Sequence, residues 1–204
     1  CRVSLLHARG QRRARVVRLL RADAARQAHR HRGEVVEFLL LRRAMQDKTY
    51  NVLFICTGNS ARSVIAEGLM NELGKGRFIA FSAGSHPKGS VHPLALKTLA
   101  AHHIPTDGFR SKSWEEFAGP DAPGLHFVFT VCDQAAGEVC PVWPGQPMTA
   151  HWGMPDPAAV EGDERAREKA FLDAFITMKR RIQLMLSLPL ASLDRMAIQK
   201  ELKD

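Results

Sequence analysis

The sequence predicts an α/β domain in which helices cover both faces of a parallel β-sheet. From about residue 50 onward, short apolar runs of strand length alternate with segments of helical periodicity. The first run, NVLFIC, is almost wholly apolar, as expected for a strand buried on both faces. Sheets of this kind bind ligands beyond the carboxyl ends of their strands. The residues that follow each strand are therefore the first candidates for a functional site.

Four runs predict strands. In chain order they are NVLFIC, GRFIAFSAG, LHFVFTVC and the shorter MTAHW, which begin at residues 51, 76, 125 and 148. The first run ends at Cys56, and the third ends at Cys132. Because the carboxyl ends of parallel strands lie along one edge of a sheet, these two thiols can meet at one site.

Three segments predict helices. SVIAEGLMNELG combines helix formers with a stop at Gly74, and HPLALKTLAAHHIP begins near a proline and ends before Pro105. A long amphipathic helix is predicted from Glu164 to Leu186, because apolar residues recur there at helical spacing. Together with the four strands, these helices predict a flavodoxin-like domain with a four-stranded parallel sheet and helices on both faces.

The positive charge of the chain is concentrated near its amino-terminal end. The formal net charge is +8, and residues 1–44 contain twelve Arg, no Lys and three acidic residues. Residues 45–204, the predicted domain, are almost neutral, with 17 basic and 18 acidic residues. We interpret 1–44 as a disordered or loosely helical extension, or as a mis-assigned start upstream of Met45. A targeting segment and a fused DNA-binding regulator are the alternatives; for the domain itself, no nucleic-acid partner is expected.

The cysteines indicate thiol chemistry. The chain contains Cys1, Cys56, Cys132 and Cys140, with no C-x-x-C pair and no histidines at zinc-ligand intervals. No secretory signal or bilayer-spanning apolar stretch is evident, so we expect a cytoplasmic protein without a membrane partner. In that compartment free thiols are more common than a disulfide scaffold.

The stretch CTGNSARS follows the first strand and opens the first helix. A turn in this place directs backbone amides and the positive end of the helix dipole at one point, where an oxyanion can bind. Arg62 can bind two oxygens of that anion, and Ser63 can donate a hydrogen bond to the Cys56 sulfur. Unlike a nucleotide-binding loop, this loop begins with a nucleophile, Cys56. We therefore expect the loop to attack the anion that it binds. The predicted oxyanion-binding residues are Thr57, Gly58, Asn59, Ser60, Ala61, Arg62 and Ser63.

Four motifs together carry a family resemblance. CTGNSARS, FSAGS, VCDQAAGEVCP and HWGMPDPA occur in this order between about residues 50 and 193. They resemble the arsenate reductases built on the low-molecular-weight protein tyrosine phosphatase fold. The resemblance implies that Cys56 attacks arsenate, that Arg62 stabilises the equatorial oxygens, and that Asp156 protonates the leaving oxygen. Asp156 is alternatively a capping or turn residue before Pro157.

The resemblance also implies a disulfide relay, because reducing arsenate to arsenite takes two electrons that a thiol pair can supply. Cys132 attacks the sulfur of Cys56 and releases arsenite; Cys140 then attacks Cys132, and thioredoxin reduces the resulting disulfide. The two distal cysteines are one residue further apart than in the thioredoxin-coupled members. As an alternative, Cys140 is an ordinary thiol, and glutaredoxin with glutathione or a mycothiol system supplies the electrons.

A phosphatase is the main alternative activity. Members of the tyrosine phosphatase branch have aromatic residues after the catalytic Asp-Pro, whereas Ala158 and Ala159 stand there in this chain. The single tyrosine is Tyr50, far from that position in the sequence. This difference favours arsenate reduction, although a weak hydrolysis of phosphate esters is still expected from the same loop.

No tightly bound cofactor is predicted. Asn59, Glu67 and Ser82 resemble positions that bind a potassium ion in some relatives, with hydrogen-bonded bracing of the loop as the alternative. Three histidines, His86, His92 and His151, are interpreted as turn or packing residues, because their spacing reveals no cysteine or carboxylate partner. Two tryptophans, Trp143 and Trp152, are expected to cover loops near the site.

Overall fold

The computed structural model describes residues 49–138 and 141–190. Their strands are β1 (Tyr50–Cys56), β2 (Phe78–Gly84), β3 (Phe127–Thr130) and β4 (Met148–His151). Their α-helices are α1 (Arg62–Leu73), α2 (Pro93–Ala101), α3 (Asp133–Ala136) and α4 (Glu164–Leu186). Short 3-10 turns span Trp114–Phe117 and Pro157–Ala159. The predictions for residues 1–44, for Met45 and for Cys140 fall outside the described residues.

The strands form one parallel sheet in the order β2-β1-β3-β4. The central strand β1 is buried on both faces, with 52–55 inaccessible to solvent. From β1 the chain moves outward to β2 and then returns to place β3 on the opposite side. The direction of winding therefore reverses at the carboxyl end of β1, which is where open α/β sheets bind ligands. Cys56 is the last residue of this strand.

The helices complete the core around the sheet. Helix α1 buries Val64, Ile65, Leu69 and Met70 and packs against β2, α2 and α4. Helix α4 has the bounds that the sequence predicts, and the apolar residues predicted at helical spacing are buried: Phe171, Phe175, Met178, Ile182 and Met185. The predicted four-stranded parallel α/β fold is confirmed. No helix in the two described ranges is both long enough and apolar enough to cross a bilayer.

Among the element ends that differ from the prediction are those of α2 and β3. Helix α2 ends at Ala101 rather than before Pro105, because His103 adopts a left-handed backbone conformation with φ 61°. The amides of His103 and Ile104 then bond back to the carbonyls of residues 100 and 99, the pattern that closes many helices. Likewise, β3 ends at Thr130 instead of residue 132. Cys132 lies two residues beyond the strand and caps α3, whose Ala135 amide contacts its sulfur at 3.5 Å.

Candidate active site

The loop between β1 and α1, residues 57–61, is called the oxyanion loop below. The carbonyl oxygens of Thr57, Gly58 and Ser60 accept hydrogen bonds of 2.8–3.0 Å from backbone amides in the segment 86–92. The N–H and C=O groups of a trans peptide point in opposite directions. Because the carbonyls are bonded outward, the loop can turn amides toward its concave side, next to Cys56. This is the arrangement an oxyanion needs.

Asn59 braces the oxyanion loop from within. Its backbone has φ 41°, and its side chain is fully buried. The amide nitrogen Nδ2 lies 2.9 Å from Ser63 Oγ and 2.8 Å from Ser82 Oγ, and Oδ1 accepts the Lys112 backbone amide at 2.8 Å. Every polar atom of the side chain is thus engaged, so Asn59 holds the loop's shape, which is the bracing role considered from the sequence.

Cys56 is buried at the start of the oxyanion loop, with 3% of the residue exposed. Its Sγ lies 3.0 Å from Ser63 Oγ. Asn59 Nδ2 donates to the same Ser63 oxygen, so the Ser63 hydroxyl proton remains available for the sulfur. A hydroxyl that donates to sulfur stabilises the thiolate, the nucleophilic form of cysteine.

Arg62 and Asp156 form an ion pair at the site. Arg62 is the first residue of α1, and its Nη2 donates to Asp156 Oδ2 at 2.9 Å. Its other terminal nitrogen donates to the Met154 carbonyl at 3.2 Å. Asp156 Oδ1 accepts the Ala158 amide at 3.1 Å, which caps the turn that starts at Pro157. Asp156 is therefore a capping residue, as the alternative interpretation proposed. Its other carboxylate oxygen, Oδ2, contacts the Arg62 guanidinium, which is predicted to bind substrate.

Cys132 reaches the same site from the adjacent strand β3. Cys132 is 1% exposed, and its sulfur lies 3.5 Å from Oγ1 of Thr57, the residue next to Cys56. Both Cys56 and Cys132 are free thiols. The structure therefore brings together Cys56, Cys132, Arg62 and Asp156, whereas Cys140 lies outside the described residues.

The three residues that resemble potassium ligands are hydrogen-bonded to one another. Ser82 Oγ bridges Asn59 Nδ2 and Glu67 Oε2. No sequence pattern singled out Lys112, yet its Nζ lies 3.7 Å from Glu67 Oε2, and its side chain is 8% exposed. Burial raises the pKa of Glu67 and lowers the pKa of Lys112, while the opposite charge of each partner counteracts the shift. The Lys112 ammonium group thus lies beside the Glu67 carboxylate, the one carboxylate among Asn59, Glu67 and Ser82.

The histidines have partners that sequence spacing did not reveal. His151 Nε2 lies 3.0 Å from Asp133 Oδ1, and His86 Nδ1 lies 3.8 Å from Glu138. His92 behaves as interpreted: it caps α2 and stacks on an aromatic ring of α4 with 4.7 Å between centroids. The sequence did not reveal the His151–Asp133 and His86–Glu138 pairs, because their members are 18 and 52 positions apart and meet only in the folded chain.

The two tryptophans pack against other aromatic rings. Trp152 stacks on Phe129 of β3 with ring centroids 4.1 Å apart. Trp143 packs edge-on against Trp114 and is 7% exposed. That these rings cover loops near the site stays a prediction.

Comparison with known proteins agrees with this fold. The family model for low molecular weight phosphotyrosine protein phosphatase matches residues 51–196. An arsenate reductase of Bacillus licheniformis is 35% identical over 126 residues, which cover 60% of this chain and 84% of that protein. A solved structure described as an arsenate reductase in oxidized state is 25% identical, with a TM-score of 0.56. Another, described as an arsenate reductase in the phosphate binding state, is 26% identical, with a TM-score of 0.53. Each alignment covers 68% of this chain and 98% of the solved one.

The family model covers the sheet, the oxyanion loop and both described thiols. The curated relative and the two solved structures agree with it over most of their own length. The chain therefore belongs to the low molecular weight phosphotyrosine protein phosphatase family, and the curated relative and the two solved structures described above are arsenate reductases.

Proposed function

We propose that the protein reduces arsenate to arsenite, with Cys56 as the nucleophile and Cys132 as the second thiol of the electron-donating pair. The observation that carries this proposal is the position of Cys132, whose sulfur lies 3.5 Å from Thr57 Oγ1 on the oxyanion loop. A phosphatase needs a single thiolate and water. A second buried free thiol beside the nucleophile's loop is what a two-electron reduction requires.

In the first step, the Cys56 thiolate attacks the arsenic atom of arsenate, and one arsenate oxygen leaves as water. Arg62 and the amides of the oxyanion loop neutralise the anion. Asp156, held 2.9 Å from Arg62, supplies the proton to the departing oxygen. The product of this step is an enzyme with a sulfur–arsenic(V) bond.

In the second step, the Cys132 thiolate attacks the Cys56 sulfur. The S–S bond forms as the S–As bond breaks, and the electron pair of that bond reduces arsenic(V) to arsenic(III), which leaves as arsenite. The two thiols are thereby oxidised to a disulfide, so electrons balance. We further propose that Cys140 attacks Cys132, frees Cys56 and leaves a disulfide for an external dithiol, thioredoxin, to reduce. Glutaredoxin with glutathione or mycothiol remains the alternative reductant.

Variants of the two distal cysteines test the relay. We expect Cys132→Ser to lose arsenate reduction and to keep hydrolysis of a small phosphate ester, which needs Cys56 alone. We expect Cys140→Ser to complete one turnover and to accumulate the Cys56–Cys132 disulfide. Arsenite formation is measured with thioredoxin and thioredoxin reductase, and separately with glutaredoxin and glutathione. Peptide mapping by mass spectrometry identifies the trapped disulfide.

Two outcomes of that experiment would contradict the proposal. Full arsenate turnover by Cys132→Ser would show that the relay is wrong. If the wild-type protein hydrolyses the phosphate ester but forms no arsenite with either reductant, the protein is a phosphatase. The proposed location is the cytoplasm, since the relay needs a compartment whose thioredoxin or glutathione keeps thiols reduced.

We propose that Lys112 supplies the positive charge beside Glu67, so that the site needs no potassium ion. Lys112→Met leaves a buried carboxylate without its partner and is expected to lower the free energy of unfolding by about 3 kcal/mol near pH 7.5. Without the lysine, the folded-state pKa of Glu67 lies further above its ordinary value of 4.5. The folded state then binds that proton more tightly than the unfolded chain, so the loss grows as pH rises above 4.5.

Urea denaturation at pH 4.5 and pH 7.5 measures this loss. Lys75→Met, at an exposed lysine, is the matched control and should change stability little at either pH. Arsenate turnover is compared in potassium chloride and in tetramethylammonium chloride of equal ionic strength. We expect no potassium effect on the wild type. Stimulation of the wild type by potassium, or a Lys112→Met loss that shrinks as pH rises, would contradict the proposal.

A further inference from the structure

We propose that His151 is a positioning residue that, through Asp133, holds the segment carrying Cys132 against the oxyanion loop. The His151–Asp133 pair is called the latch below. Neither residue belongs to the group that binds or attacks the oxyanion. The catalytic consequence of the latch rests on the proposed function, in which Cys132 is the second thiol. Its structural consequence, restricted access to the Cys132 sulfur, does not.

The imidazole of His151 bridges two elements at the carboxyl edge of the sheet. His151 is the last residue of β4 and is the register partner of Thr130, the last residue of β3. Its Nδ1 lies 2.9 Å from Thr130 Oγ1, and its Nε2 lies 3.0 Å from Asp133 Oδ1. A neutral ring that accepts from the threonine hydroxyl and donates to the carboxylate satisfies both contacts. The latch therefore needs no protonation of the histidine.

Asp133 transmits this restraint to the thiol. It follows Cys132 directly in the chain and begins α3, a helix of four residues. A helix this short has little stability of its own, so its place depends on tertiary contacts. The Cys132 sulfur contacts Thr57 Oγ1 on one side and the Ala135 amide on the other, each at 3.5 Å. The His151 contact adds a further restraint one residue away.

The backbone at Gly153 leaves room for the side chains of the latch. A Cβ built on Gly153 would lie 2.5 Å from His151 Nε2 and would also overlap Asp133 Oδ1. Glycine is therefore required there to leave room for the pair. The Gly153 carbonyl in turn accepts from Arg181 Nη2 of α4 at 3.0 Å, which fixes this backbone to the core.

The latch is exposed enough to open during the relay. The side chains of His151 and Asp133 are 44% and 91% exposed, and solvent weakens ion pairs and hydrogen bonds of this kind. Cys132 must first remain beside Cys56 and then, in the proposed relay, move to Cys140. A contact that biases the position of the segment by a factor of about five or less allows both steps.

Alkylation of Cys132 tests the latch without arsenate. In a full-length chain carrying Cys1→Ser, Cys56→Ser and Cys140→Ser, Cys132 is the sole thiol, and its reaction with iodoacetamide is followed under native conditions. We expect His151→Ala and Asp133→Ala each to raise the rate about two- to five-fold. The double variant should raise it no further, because both changes remove the same contact. His151→Gln, whose amide can donate from the position of Nε2, should restore a rate near that of the parent chain.

Activity measurements connect the latch to the reaction. In the otherwise wild-type chain, His151→Ala should lower kcat for arsenate reduction and leave phosphate-ester hydrolysis unchanged, because hydrolysis does not use Cys132. Thr149→Ala, at another exposed residue of β4, is the control for general weakening of this edge strand and should change neither rate.

Three results would overturn the latch: an unchanged alkylation rate in His151→Ala, independent additive effects of His151→Ala and Asp133→Ala, or failure of His151→Gln to restore the parent rate. A wild-type protein that does not reduce arsenate would instead refute the proposed function. The alkylation experiment would still decide whether His151 restrains Cys132.

Discussion

Replacing Cys56 by Ser is expected to lower kcat for arsenate reduction by about 10⁴-fold or more, because a serine hydroxyl is a far weaker nucleophile than a thiolate. Hydrolysis of a small phosphate ester should fall as far, since it uses the same sulfur. Binding of arsenate or phosphate should change little, because the oxyanion loop is held by contacts that do not involve the Cys56 side chain. Stopped-flow or steady-state kinetics measure the first two quantities, and calorimetric titration measures the third.

Cys132→Ser is the matched control for this prediction, because it removes the other buried thiol of the same site. It should abolish arsenate reduction and spare phosphate-ester hydrolysis, whereas Cys56→Ser abolishes both. The hydroxyl that Cys56→Ser introduces keeps a polar neighbour in Ser63, so the fold should persist; the free energy of unfolding checks this point. Retention of more than a small fraction of ester hydrolysis by Cys56→Ser would show that another group is the nucleophile.

Replacing Gly84 by Ala is expected to disturb the oxyanion loop from beneath. Gly84 ends β2 and pairs in register with Cys56. An added Cβ would lie 2.6 Å from the Thr57 carbonyl oxygen and 3.0 Å from the backbone nitrogen of Asn59. Backbone atoms must shift to relieve this overlap, which is expected to lower the free energy of unfolding by about 1–3 kcal/mol. A displacement of the loop should also lower kcat/KM by about 10²-fold, because small misplacements of catalytic groups are costly.

Gly119→Ala provides the matched control, because a Cβ at that glycine would contact nothing within 4 Å. Its stability and its activity should stay close to those of the wild type. Chemical denaturation measures the first quantity, and arsenate kinetics measure the second. If Gly84→Ala keeps full activity and stability, the loop tolerates displacement and is not the rigid oxyanion site described above.

The sequence was most informative where function depends on neighbours in the chain. CTGNSARS places a cysteine, five small or polar residues and an arginine at the junction of a strand and a helix, and the structure has them in that arrangement. Hydrophobic periodicity likewise predicted the strands and the bounds of α4, because the pattern reports which face of each element is buried. These features follow from local geometry, so a linear pattern is sufficient to predict them.

Other parts of the site depend on packing between distant segments. The sequence placed Cys132 at the end of a strand, whereas the residue lies beyond β3 as the cap of a four-residue helix. The pairs Glu67–Lys112 and His151–Asp133 had no signal in the sequence, since their members come from different elements. Such contacts are set by sheet order, register and loop paths, none of which periodicity reports.

The sequence by itself therefore determined the fold class, the position of the oxyanion loop and the family resemblance. The tertiary structure alone decided which charge lies against Glu67, how Asp156 can serve both as a turn cap and as a partner of Arg62, and which side chains lie beside Cys132. The physical reason is that local patterns encode the conformation and burial of single segments. Contacts between side chains 45 or 94 positions apart exist only after the sheet has brought their segments together.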